Sequence, residues 1–210
     1  MSDEKLLNIA VESARKAGVE VMKYYQNQNF TSELKADDSP VTSADIAAND
    51  ILMDQLKTLT PDIPIISEEV GTVPLEKRAH WQKYWLLDPI DGTVNFANGI
   101  PICCVSIGIE MDGKLLMGAV FNPFMNELFF AEKGKGAFLN NKRLKVSDND
   151  NVNKACLVTG FPYRWVEVGK DPIKVFERFI RMGLPVRRLG SAAIDLCWVA
   201  AGRFDGFWEY

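Results

Sequence analysis

Trp85-Leu86-Leu87-Asp88-Pro89-Ile90-Asp91-Gly92-Thr93 is the stretch on which the fold turns. An apolar run that ends in two carboxylates three residues apart reads as a buried strand (84–87) opening into a loop. Pro89 holds Asp88 extended, because its ring crowds the helical conformation of the residue before it, and Gly92 lets the chain turn sharply. Both carboxylates, and the Ile90 carbonyl between them, can then converge on one point.

Oxygen donors of this kind suit a hard divalent cation such as Mg²⁺, which keeps waters and a phosphate in its other positions. Gly92, Thr93 and the residues after them offer backbone N–H groups at a short helix N-terminus, where an anion is favoured by donors and dipole together. Read alone, Asp-x-x-Asp-Gly also describes an ordinary hydrogen-bonded turn. A calcium EF-hand loop is excluded, since positions 90 and 92 carry no side-chain oxygen and no closing Glu follows.

Other acidic residues weigh on the choice. Glu68-Glu69 ends a strand at 63–67 just before Gly71, where the C-terminal end of a strand commonly opens into a site. Asp45 begins a helix in Pro40-Val41-Thr42-Ser43-Ala44-Asp45. There it either completes a capping box with Thr42 or, with the Thr93 hydroxyl, orients and deprotonates a metal-bound water.

Outward from this stretch the pattern is mixed. Apolar and small residues at 7, 10, 11, 14, 17, 18 and 21 recur at helical spacing and predict a helix over 3–26; Ala48, Ile51, Leu52, Leu56 and Leu59 predict another over 43–59. Short β-rich runs at 103–111, 114–122, 127–132 and 137–139 predict a largely antiparallel sheet, with a tight hairpin at Asp112-Gly113. After the polar connector 147–153 the chain alternates strand (155–159), helix (172–182), strand (185–189), helix (191–201) and strand (206–209), a second α/β layer. The boundary is expected near 148, giving a metal- and phosphate-binding part at 1–147 and an α/β part at 148–210 within one unit.

Composition narrows the function classes. At 47% hydrophobic and 25% charged residues the chain has the balance of a soluble globular protein, and a net charge of −4 with no long basic run disfavours a nucleic-acid partner. The apolar stretch 100–109 is too short to span a membrane, and the acidic start Met1-Ser2-Asp3-Glu4 is unlike a signal peptide, so a cytoplasmic protein is expected. Cys103, Cys104, Cys156 and Cys197 lack zinc-ligand spacing and read as core residues. His80, the one histidine, sits among charged residues and reads as a surface group, which argues against Ser-His-Asp or Cys-His catalysis.

Taken together, Val41-Thr42-Ser43-Ala44-Asp45, Ser67-Glu68-Glu69, Asp88-Pro89-Ile90-Asp91-Gly92-Thr93-Val94-Asn95-Phe96 and Gly190-Ser191-Ala192-Ala193 resemble the inositol monophosphatase family of Mg²⁺-dependent, lithium-sensitive phosphatases. So does Val199-Ala200-Ala201-Gly202-Arg203-Phe204-Asp205-Gly206-Phe207-Trp208-Glu209. The resemblance implies an α/β (α+β) fold, a layered αβαβ(α) sandwich. It implies that Glu68, Asp88, the Ile90 carbonyl and Asp91 bind metal, two or three Mg²⁺ ions, and that Asp45, Glu68 and Thr93 carry catalysis. Ile90, Asp91, Gly92 and Thr93 would hold phosphate, and Arg187, Gly190, Ser191, Ala192 and Glu209 would face the leaving group.

The implied reaction is in-line attack by an activated water on a small phosphomonoester, with no phosphoenzyme, in a homodimer. Family members continue past the Glu equivalent to Glu209 to a Trp-Asp pair, whereas this sequence ends at Tyr210, so the last layer is expected to be incomplete. Val94-Asn95-Phe96 favours the inositol branch over 3′(2′),5′-bisphosphate nucleotidases, which more typically carry Lys-Glu-Phe there. Fructose-1,6-bisphosphatase activity and a non-catalytic binding module of the same fold are the other readings.

Overall fold

A computed structural model describes residues 1–35, 39–71, 73–161 and 171–210 of the chain. Helix α1 (Asp3–Asn27) starts where Ser2 accepts a hydrogen bond from the Lys5 N–H, with Asp3 and Glu4 at the positive end of the helix. Leu6, Ile9, Ala10, Ala14, Ala17 and Val21 form its buried stripe. A Cβ at Gly18 would stand 2.6 Å from the Phe121 ring, so glycine lets the helix press this closely on the sheet.

A two-stranded ribbon, β1 (Ser32–Leu34) and β2 (Pro40–Thr42), leads into α2 (Ser43–Leu59), which packs beside α1. There follow β3 (Ile65–Ser67), the short α3 (Leu75–Arg78), β4 (Lys83–Asp91), the short α4 (Thr93–Ala97), β5 (Cys104–Met111), β6 (Lys114–Asn122), β7 (Glu127–Glu132), β8 (Gly136–Leu139) and β9 (Lys142–Arg143). The seven strands β3 to β9 form one sheet in sequence order, parallel between β3 and β4 and antiparallel thereafter. Asp112 and Gly113 both have positive φ, 52° and 73°, the backbone that a tight β5–β6 hairpin requires.

Side-chain alternation divides this sheet between two neighbours. Trp85, Leu87, Val105, Ile107, Ile109, Met117, Ala119 and Phe121 bury against α1 and α2. Leu86, Ser106, Gly108, Gly118 and Val120 face the other way, onto a groove of about 850 Å³ bordered by Leu196, Cys197 and Ala200. Those last three lie on α6 (Ala192–Ala200), which touches β5 and β6 on one side and β10 (Leu157–Thr159) and β12 (Gly206–Trp208) on the other. Helix α5 (Pro172–Arg181) and strand β11 (Val186–Arg187) belong to the same half of the chain. The small sheet is fully parallel, in the order β11-β10-β12. The layers therefore run α, β, α, β.

Element ends lie within one or two residues of those expected, with one informative exception: β4 does not stop at residue 87 but pairs as far as Asp91. The ribbon β1–β2, α3 and β9 escape the sequence reading because two to four residues carry no measurable period. Among the described residues no helix is long and apolar enough to cross a membrane.

Candidate active site

The extension of β4 is made by a bulge. Asp88 pairs with Ser106 and Asp91 with Cys104, so Pro89 and Ile90 together oppose Val105. In a regular strand residues three apart point to opposite faces. The extra residue resets the alternation: Pro89 and Ile90 are both buried, while Asp88 and Asp91 come to the same side and line one pocket. Proline is tolerated there because the bulge asks for no ladder donor.

Asp45 is fully buried in the first turn of α2. One of its oxygens, Oδ2, accepts from the Thr42 N–H at 2.8 Å and from the Thr42 hydroxyl at 2.5 Å, so it is the N3 member of a capping box. Its other oxygen, Oδ1, stands 3.0 Å from the Thr93 hydroxyl, which also lies 3.0 Å from the Ile90 carbonyl. The capping and catalytic roles are thus compatible, one per oxygen. Thr93 borders the pocket with Asp45 behind it, and burial pushes the Asp45 carboxyl up despite its bonds from Thr42 and Thr93.

Asp91 joins the layers. Its Oδ2 accepts from the Ser191 hydroxyl at 2.6 Å and the Ala193 N–H at 2.7 Å, at the N-terminus of α6. Burial raises its pKa, and the bonds from Ser191, Ala193 and Ala192 offset part of that rise. Asn95, 6% exposed, donates at 2.7 Å to both the Ile102 and the Leu189 carbonyls, pinning the loop before α6 to α4. The fit is close: a Cβ at Gly92 (φ 96°) would meet the Ile102 carbonyl at 2.9 Å, and one at Gly190 (φ 88°) the Asn95 amide at 3.0 Å.

Glu68 and Glu69 are held together by Lys35, whose Nζ stands 2.9 Å and 2.7 Å from them. Desolvation pulls the Lys35 pKa down, but the two carboxylates more than reverse this. Burial, by contrast, dominates at Glu69 and leaves its carboxyl raised even beside the lysine. Asp88 is raised well above the ordinary carboxylate range, first by burial and then by Asp91, Glu68, Asp45 and Glu69. Such a gathering of buried carboxylates is unfavourable without a cation.

The donors are all oxygen, from Glu68, Asp88, Asp91 and the Ile90 carbonyl, a set that fits Mg²⁺ and not zinc. As the side chains stand, no three acidic, thiol or imidazole groups among the described residues enclose a single point. Mg²⁺ does not require that, because one or two carboxylates commonly suffice when waters and substrate oxygens complete the octahedron. Burial pushes the Cys103, Cys104 and Cys197 thiols up, Cys197 to about 12, which keeps them neutral core groups.

The pocket has a volume of about 270 Å³. It brings together Glu68, Asp88, Ile90, Asp91, Gly92, Thr93, Gly190, Ser191, Ala192 and Glu209. Arg187 stands elsewhere: it is exposed, its guanidinium donates to the Val186 carbonyl, and the neighbouring Arg188 lines the pocket instead. β11 ends at Arg187, so Arg188 lies on the loop that follows it, where strand alternation no longer says which way a side chain points. Lys35, Gly160, Phe161 and Asp195 were not foreseen. Only Asp195 carried a signal, its i+4 spacing from Ser191 on α6. The larger groove has mainly apolar walls, which do not offer the convergent polar groups of a reaction site.

The model of the inositol monophosphatase family matches residues 2–210. An inositol-1-monophosphatase of Mesorhizobium japonicum is 38% identical over 210 residues, 100% of this chain and 78% of its own length. A Nus factor SuhB of Pasteurella multocida is 38% identical over 205 residues, covering 97% and 76%. Among solved structures, an extragenic suppressor protein suhB from Bartonella henselae superposes with a TM-score of 0.86 at 36% identity, over 98% of this chain and 78% of that one. An inositol monophosphatase from Anabaena gives 0.84 at 35%, over 98% and 75%.

Proposed function

The chain belongs to the inositol monophosphatase family, and from that membership we propose that it is a Mg²⁺-dependent phosphomonoesterase hydrolysing an inositol monophosphate or a related sugar phosphate. The observation that carries the reading is the Thr93 hydroxyl, 3.0 Å from a fully buried Asp45 carboxylate, at the wall of a pocket rimmed by Glu68, Asp88 and Asp91.

Glu68, Asp88, Asp91 and the Ile90 carbonyl are the residues that would hold two or three Mg²⁺ ions. When bound, the metal lowers the pKa of water and neutralises charge on the phosphoryl and leaving oxygens. Thr93 has one proton and two acceptors at equal distance, Asp45 and the Ile90 carbonyl. A water seated on Thr93 Oγ1 gives its proton to that oxygen as the Thr93 proton passes to Asp45, and the water oxygen attacks phosphorus in line while the ester P–O bond breaks and the leaving alkoxide takes a proton from solvent water. The raised pKa of Asp45 makes it a better acceptor than an exposed aspartate. Asp91, anchored to α6, holds its second oxygen toward the pocket, and Glu209 borders the end that receives the alcohol.

We also assign the chain to the cytoplasm and to a homodimer, the latter checked by light scattering. The test of activity is phosphate release from myo-inositol 1-phosphate with and without millimolar-range Mg²⁺. Release that depends on Mg²⁺ supports the reading. None from a folded sample at any Mg²⁺ concentration would move the chain to the non-catalytic reading; the relatives named Nus factor carry another role by name.

A further inference from the structure

Asp195 plays no part in the reaction described above, yet it is 1% exposed and, among the described residues, its Oδ1 has no hydrogen-bond partner. A buried, unpartnered carboxylate oxygen is costly, and native proteins keep one where something else completes it. Its backbone N–H is spent in the first turn of α6 on the Ser191 carbonyl, and its side chain lines the same pocket as Arg188, Glu209 and Asp91.

These groups make a mixed wall. Asp91 and Glu209 act on Asp195 as like charges and Arg188 as an opposite one, and burial with Asp91 raises the Asp195 pKa to about 7. Glu209 is itself pressed against the backbone, since a Cβ at Gly160 would overlap its carboxylate. Two carboxylates and a guanidinium thus present acceptors and donors around one small space. Adjacent hydroxyls, each able to donate and accept, match such a wall, whereas a flat aryl group leaves it unpaired.

We propose that Asp195 is a specificity-determining residue that pairs with a hydroxyl of the leaving polyol, alongside Arg188 and Glu209. The proposal rests on the phosphatase reading for the reaction and for its polyol ester, and adds a residue that recognises the alcohol.

The experiment compares the Mg²⁺-loaded wild-type chain with D195A and D195N on myo-inositol 1-phosphate and on p-nitrophenyl phosphate, whose leaving group has no polyol. D195A loses about 10- to 100-fold in kcat/KM on the inositol ester, mainly through KM, as expected for one hydrogen bond to a charged group. It stays within about twofold on the aryl ester, and D195N, still able to accept, recovers most of the loss. Equal losses on both esters, or no loss on either, overturn the proposal. A wild-type chain that hydrolyses neither ester sinks the phosphatase reading. Calorimetry with myo-inositol 1-phosphate then decides: binding weakened in D195A and kept in D195N upholds the subsite, and binding absent or unchanged overturns it.

Discussion

Replacing Asn95 by alanine strands two part-buried carbonyls at once, those of Ile102 and Leu189, each now served by the Asn95 amide at 2.7 Å. A stranded buried acceptor costs about 1–3 kcal/mol; because this loop borders a pocket that water can enter, the lower half of the range applies to each, about 2–4 kcal/mol in all. For a chain of this size that lowers Tm by roughly 4–16 °C, at about 2–4 °C per kcal/mol. The same change frees Gly190 and Ser191 from α4, so the hydroxyl that orients Asp91 loses its fixed position. Thermal denaturation with and without Mg²⁺, together with steady-state phosphate release, reads both effects. N95D is the control of equal size: it sets carboxylate oxygens against the two carbonyls and is at least as damaging. A Tm within about 2 °C of wild type, with unchanged kinetics, would refute the account of Asn95 as the clip between the two loops.

Four further outcomes follow from the site. D88N removes a charge from the buried acidic group, so without Mg²⁺ it melts higher than wild type while losing Mg²⁺-dependent stabilisation and activity; a lower Tm without the metal contradicts the electrostatic argument. T93V keeps the shape and loses the hydroxyl, lowering kcat by roughly 10²–10⁴-fold and, by stranding a buried Asp45 oxygen at about 1–3 kcal/mol, lowering Tm by roughly 2–12 °C; kcat above a tenth of wild type rules out the relay to Asp45. G160A drives Glu209 aside and raises KM for a polyol ester more than it lowers kcat; equal KM values would show that Glu209 does not meet substrate. Asp45, Asp88, Asp91 and Asp195 all have raised folded pKa values, Asp195 about 7, so between the ordinary carboxylate pKa and those values the folded state binds more protons than the unfolded one. Stability without metal therefore falls as pH rises toward 7, and Mg²⁺ raises Tm more at pH 8 than at pH 5; a flat metal-free Tm across that window refutes it.

The long helices, the antiparallel strands and the Asp112-Gly113 hairpin were legible in the sequence because each repeats a simple period or needs a rare backbone angle. Asp45 was legible only as a choice, since no sequence shows that its two oxygens serve different partners. The pairing of Asp91 with Ser191, 100 residues later, and the Asn95 clip, 94 residues from Leu189, depend on how the layers dock. In sequence Asn95 appeared only as a family marker, and its structural work became visible through the two carbonyls it serves. Arg188 escaped for a local reason: it lies just past the two-residue strand β11, on a loop that no period describes.

The bulge in β4 also sets how this site can vary over evolutionary time. Substitution at Pro89 or Ile90 changes volume or stiffness and leaves the count of residues alone, so selection can explore those positions gradually. Deleting either one restores a regular ladder that still sets Asp88 and Asp91, then two apart, on one face, but it flattens the bulge that brings the Ile90 carbonyl within 3.0 Å of the Thr93 hydroxyl. Insertions and deletions between positions 88 and 91 should therefore be purged from any lineage that keeps the chemistry, and a descendant carrying one would mark the point at which the fold was released to another use.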